Sequence, residues 1–131
     1  MFKINNYLAT HGLELQWSSG IIEDMIAKPD MEGKIEGFMV FDIRNRMLDA
    51  HNPLQVYQKL TEEAIKIIKE HGKVVICCSA GVSRSNAIAI SVLIQEFGMS
   101  LPQALVLVRQ MVPIANPLPC HIRQLEKLYY T

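Results

Sequence analysis

The chain has 131 residues, half of them apolar and a fifth charged, enough for one globular domain with its own core. Thirteen basic residues balance thirteen acidic ones, so no global field recruits nucleic acid or an anionic membrane, and any affinity for an anion must be local. No apolar run reaches membrane-spanning length and the start, MFKINNYLATHG, lacks a signal-peptide pattern. The expectation is therefore a cytoplasmic protein, with the nucleus left open, that engages neither nucleic acid nor membrane.

In chain order, Ile4 to Thr10 reads as a short helix and Leu13 to Trp17 as a strand. Ser18-Ser19-Gly20 punctuates, and Ile21 to Ala27 reads as a short helix ending before Lys28-Pro29. Phe38 to Ile43 is apolar enough for a central strand. Leu54 to Glu70 is a helix by periodicity, with Tyr57, Leu60, Ala64, Ile67 and Ile68 on one face, Pro53 at its start and Gly72 after its end. Val74 to Ile76 is a buried strand. The stretch from Arg84 to Phe97 is apolar nearly all round and reads as the buried central helix. Ser100 caps a helix with Pro102 in its first turn and Ala104, Leu105, Val108 and Met111 as its core stripe. A last helix runs from about Leu118 to Tyr130. Met39, Met47, Met99 and Met111 are expected to fill the core.

Between the Val74 strand and the central helix lies the stretch VVICCSAGVSRS. Its loop opens at Cys78 and closes at Arg84, and the residues between, Ser79, Ala80, Gly81, Val82 and Ser83, are small or able to turn. Such a loop can point successive backbone N–H groups inward and form an anion cradle at the N-terminus of the following helix. A thiol is nucleophilic as thiolate, the form favoured at a helix N-terminus beside a cation. Arg84 offers a planar fork of donors suited to two phosphoryl oxygens. Together these residues describe Cys78 attacking phosphorus, Ser79 to Arg84 binding the phosphate, and Ser85 donating to the sulfur as it leaves. The competing reading is an inert buried cysteine and a surface cation.

At these residues the chain resembles the cysteine-dependent protein tyrosine phosphatases, whose signature is H-C-x5-R-[ST]. More closely it resembles their small dual-specificity branch, in which A-G-x-S-R-S is usual. Cys78, Ala80, Gly81, Ser83, Arg84 and Ser85 match. Lys28-Pro29-Asp30, the strand FMVFDI, Glu96-Phe97-Gly98-Met99, Asn116-Pro117 and Gln124-Leu125 are similar to the serine/threonine/tyrosine-interacting pseudophosphatase type. That type has its nucleophilic cysteine replaced; here Cys78 is present. The implied fold is α/β, a central mostly parallel sheet of about four strands flanked by helices. Residues 1–131 would form one dual-specificity phosphatase-like domain, in which the family's usual N-terminal strands are either lost or replaced by Met1 to Thr10 in another form. An edge left exposed in that way would invite a homodimer.

Two departures from the family pattern stand out. The family's general acid is an aspartate in the loop after the strand that precedes the long helix, and Asn45 falls at that place. Asp49, later in the same loop, is the candidate for a displaced acid; Asp42, at the strand end, is expected to be structural, and His51 is a weak candidate. Cys77 stands where the family has a loop-buttressing histidine and is a poor substitute for it, so the thiolate is expected to be less favoured than in a full signature. His11, His51, His71 and His121 are otherwise expected to be surface or capping residues. Three cysteines with two adjacent make a poor disulfide framework and no zinc site. Thiolate attack with backbone cradling needs no metal or cofactor.

The expected activity is hydrolysis of phosphate monoesters on phosphorylated proteins, phosphotyrosine together with phosphoserine or phosphothreonine, through a phosphocysteine. The rival is a phosphoprotein-binding module that keeps the cradle and turns over too slowly to matter.

Overall fold

A run of β-branched residues ahead of a helix with no polar face can be buried only if other elements cover both, and the sheet supplies that cover. The computed structural model describes residues 4–11, 14–20, 34–35, 38–71, 73–78, 83–111 and 115–130. Strands β1 (Ile4–His11), β2 (Glu14–Gly20), β3 (Lys34–Ile35), β4 (Phe38–Asp42) and β5 (Lys73–Cys77) form one five-stranded sheet in the order β2-β1-β5-β4-β3. The helices among the described residues are α1 (Leu54–His71), α2 (Arg84–Phe97), α3 (Leu101–Met111) and α4 (Pro119–Tyr130).

Two expectations about the sheet are corrected. The segment expected as a short helix, Ile4 to Thr10, is strand β1. It pairs antiparallel with β2 through Leu8 opposite Trp17 and with β5 through Tyr7 opposite Val75. Pairing on both sides outweighs the weak local preference of INNYLAT. The sheet is also not mostly parallel: β1–β2, β1–β5 and β3–β4 are antiparallel, and only β4–β5 is parallel. The N-terminal pair lies where an absent edge was expected, so β5 is interior, between β1 and β4. The helix expected over Ile21 to Ala27, the turn at Gly72 and the loop from Ser79 to Val82 lie outside the described residues.

The one parallel pair positions the site. Asp42 lies opposite Cys77 at the ends of β4 and β5, so the loops that follow leave the sheet side by side. In an open α/β sheet that is where ligands bind.

Burial of α2 secures this arrangement. Nine successive residues, Ser85 to Leu93, are buried, as expected for a helix without a polar face. Below it α1 presents Tyr57, Leu60, Thr61, Ala64, Ile65 and Ile68 at helical spacing, all buried; Ile65 takes the fully buried place expected for Ile67, which is partly buried. A line of hydroxyls crosses the helix junction, Thr61 to Ser91 at 2.7 Å and Ser91 to Tyr129 at 2.6 Å. It satisfies polar groups that would otherwise cost free energy in a dry core. Met47 is in the core and Met99 packs against it.

The helix ends follow their residues. Gly98 adopts a left-handed conformation, φ 69°, and the Met99 N–H bonds the Leu93 carbonyl at 3.2 Å, closing α2. Ser100 caps α3 as expected, its hydroxyl accepting from the Gln103 N–H at 3.2 Å while the Gln103 side chain accepts from the Ser100 N–H at 3.0 Å.

Candidate active site

Cys78 follows β5 directly and is 2 % exposed. Its sulfur lies 3.1 Å from the Ser85 hydroxyl and accepts the Ser85 backbone N–H at 3.4 Å. The thiol therefore sits against the first turn of α2, where the positive end of the helix dipole favours negative charge. Ser83, just before α2, does not cap that helix with its side chain. Its hydroxyl accepts from the Leu118 N–H at 3.1 Å. Arg84 donates from Nη1 to the Arg44 carbonyl at 3.0 Å, which ties the cation to the loop after β4.

That loop, residues 43–53, is held by polar side chains. Asn52 is buried and folds the loop around its amide: Oδ1 accepts from the Leu48 N–H at 2.8 Å, and Nδ2 donates to the Leu48 and Ala50 carbonyls, both at 2.9 Å. Gln124 on α4 donates to the Asn52 carbonyl at 2.5 Å. Arg46 forks onto Glu63 of α1 at 3.3 and 2.5 Å. Asp42 is occupied by Arg44, at 2.8 Å from Nε and 2.6 Å from Nη2, in keeping with the structural role expected for it.

Asp49 projects from this loop with 46 % of its side chain exposed, and its Oδ1 lies 3.1 Å from His121 Nε2. Burial pushes its carboxyl up, but side-chain interactions with His121 and Ser83 and the charges of His121 and Arg84 outweigh it and hold the group below the ordinary 3.8. Ser83, Arg84 and Asp49 are thus neighbours although the last comes from a different loop. Asn45 and His51 are exposed. Ser79, Ala80, Gly81 and Val82 lie outside the described residues, as does the side chain of Cys77.

His121 was expected at the surface or as a cap and is instead fully buried. Its Nδ1 lies 2.6 Å from the Tyr57 hydroxyl, and the two rings meet edge to face at 5.8 Å. The sequence held a signal for this: His121, Gln124 and Leu125 recur at i, i+3 and i+4 on α4, and all three are buried. Burial also pushes the Tyr57 hydroxyl above its ordinary 10.0, as does the charge of Asp49, against a hydrogen bond from Asn52.

Residues 25–130 match the family described as dual specificity phosphatase, catalytic domain. The chain belongs to that family. Over 122 residues it is 30% identical to human protein phosphatase Slingshot homolog 2, covering 86% of this chain and 9% of that protein. Over 60 residues it is 40% identical to dual specificity protein phosphatase 1 of Arabidopsis thaliana, covering 46% of this chain and 30% of that one. The chain thus spans a small part of the length of these phosphatases. Among solved structures it is similar to human DUSP28, with a TM-score of 0.63, 20% identity and coverage of 80% and 81%. It is also similar to the human tyrosine phosphatase-like serine/threonine/tyrosine-interacting protein, with a TM-score of 0.56, 26% identity and coverage of 62% and 54%. Among the described residues no group of three or more His, Cys, Asp or Glu could hold a metal ion, and no helix is long and apolar enough to cross a membrane.

Proposed function

We propose that this dual-specificity phosphatase-family domain, residues 1–131, hydrolyses phosphate monoesters on proteins through a phosphocysteine intermediate. Its substrates would be phosphotyrosine and phosphoserine or phosphothreonine. The observation that carries the reading is the placing of Ser85 on the sulfur of Cys78 at the start of α2, its backbone N–H donating at 3.4 Å and its hydroxyl 3.1 Å away.

The Cys78 thiolate attacks phosphorus; the S–P bond forms as the bond to the leaving oxygen breaks, and Asp49 gives that oxygen its proton. The loop from Ser79 to Ser83 and Arg84 hold the equatorial oxygens. Water then attacks the phosphocysteine, Asp49 takes a proton from it, and Ser85 donates to the departing sulfur. Inorganic phosphate leaves and the thiolate is regenerated. The neighbourhood of Asp49 with Ser83 and Arg84 supports it as the acid in place of Asn45.

Hydrolysis of an activated aryl phosphate and of a phosphotyrosine peptide by the native chain, Cys78→Ser and Asp49→Asn tests the reading. Cys78→Ser should abolish both reactions, by roughly four orders of magnitude or more. Asp49→Asn should slow the peptide by about a hundred- to ten-thousandfold and the aryl ester, whose leaving group departs unaided, far less. Absence of turnover in the native chain would sink the enzyme reading.

A second reading, a phosphoprotein-binding pseudophosphatase, is favoured by the exposed Asn45 at the acid's usual place and by the likeness to the serine/threonine/tyrosine-interacting protein. Tight binding of the phosphopeptide with no turnover by the native chain is its signature.

A further inference from the structure

We propose that His121 is the positioning residue for Asp49, the end of a one-way hydrogen-bond chain from the Tyr57 hydroxyl through the imidazole that fixes one carboxylate oxygen and leaves the other to serve the leaving group. The inference rests on reading Asp49 as the general acid and adds a residue, on a different helix, that governs how that acid works.

Donor accounting sets the direction. The two protons of the Asn52 amide serve the Leu48 and Ala50 carbonyls, so its nitrogen, 3.4 Å from the Tyr57 oxygen, makes only a weak contact there. Among the described residues the acceptor for the Tyr57 O–H is His121 Nδ1, at 2.6 Å. Nδ1 is then the acceptor, the ring proton is on Nε2, and Nε2–H donates to Asp49 Oδ1 at 3.1 Å. An imidazolium would leave the Tyr57 proton no acceptor in this chain. His121 and Tyr57 are both fully enclosed, so water cannot substitute for either link. No proton crosses the imidazole: in the first step the proton of Asp49 goes to the leaving oxygen, and Nε2–H goes on donating to the carboxylate that results.

The other charged or titratable groups are few. Ser83 and Arg84 face Asp49 from the start of α2, and Cys120 faces Tyr57 from α4. A phosphate dianion in the cradle would engage Ser83 and Arg84 and repel the carboxylate, favouring its protonation. His121 would then be the holder that remains, keeping the acid aimed while it is loaded.

The test compares His121→Phe, which fills the space without a donor, with His121→Gln, whose amide N–H replaces Nε2–H. Turnover is followed against pH for the phosphotyrosine peptide and the activated aryl phosphate. His121→Phe should lower kcat for the peptide by about ten- to a hundredfold at unchanged KM and leave the aryl ester nearly untouched. It should also move the high-pH limb upward, because losing a donor to the carboxylate lets Asp49 stay protonated to higher pH. His121→Gln should restore the peptide rate. Equal loss on both substrates, or no rescue by Gln, would mean His121 only supports the fold and overturns the proposal.

Carbon-13 titration of the Asp49 carboxyl and nitrogen-15 shifts of His121 in the native chain separate the two readings. If Asp49→Asn does not slow the peptide, or the native chain is inactive, the acid reading fails on its own. The positioning link is still upheld if the Asp49 midpoint rises in His121→Phe and the ring proton is on Nε2. A proton on Nδ1, or an unmoved midpoint, overturns it.

Discussion

The two halves of the site are built from different materials. Cys78 and Ser85 stand on β5 and α2, whose packing is apolar and continuous from Ser85 to Leu93. Asp49 stands on a loop that is largely exposed and is kept in shape by Asn52, Gln124, His121 and the Arg46–Glu63 pair. Burial of apolar area is non-directional and tolerant of detail. A hydrogen-bond cage is directional, and each missing partner leaves a desolvated group behind. The nucleophile should therefore survive perturbations that displace the acid. On that physics a family member could lose or move its acid without disturbing its thiol, as proposed above for Asn45 and Asp49.

The contrast can be broken from either side. Leu93, fully buried on α2, should cost about 2–5 kcal/mol on truncation to alanine, measured by denaturant unfolding, and both substrates should suffer together at temperatures where part of the chain is unfolded. Asn52→Ala strips the cage from the acid loop and should cost about 1–3 kcal/mol. In contrast to Leu93→Ala, it should slow the peptide more than the activated ester; equal slowing would show that the loop's shape does not depend on its cage. Gly98→Ala meets no atom within 4 Å, so its cost, about 1 kcal/mol, is that of a left-handed backbone alone, and the ratio of the two activities should not change.

The smallest effect is in acid. The folded Asp49 carboxyl lies below its ordinary 3.8, so its contacts add stability that is complete above that value and is lost as pH falls through the folded one. Tyr57 works in the opposite direction. Its folded value is above 10.0, so its contribution is complete below pH 10 and is lost as pH rises through the folded value. Asp49→Asn should flatten the acid limb of a melting-temperature profile.

Much of the nucleophile's half was legible because its determinants are contiguous. VVICC and a helix apolar nearly all round declare strand and buried helix by pattern alone. The cap at Ser100 was equally readable, as local chemistry. The N-terminal strand was not, because INNYLAT becomes a strand only by pairing with residues some ten and some sixty-five positions away. Nor was the acid's support: Asp49 and His121 are 72 residues apart, and a histidine among scattered histidines gives no sign of its partner. Its place in the buried stripe of α4 was the one available hint.

The enclosure of Cys78 has a practical side. Cys120 is partly exposed on α4 whereas the Cys78 sulfur is shut in beneath Ser85. A bulky maleimide should thus modify Cys120 ahead of Cys78, so a label count does not by itself report the proposed nucleophile. A small, anionic alkylator such as iodoacetate, drawn to the positive end of α2, is the reagent suited to counting competent sites.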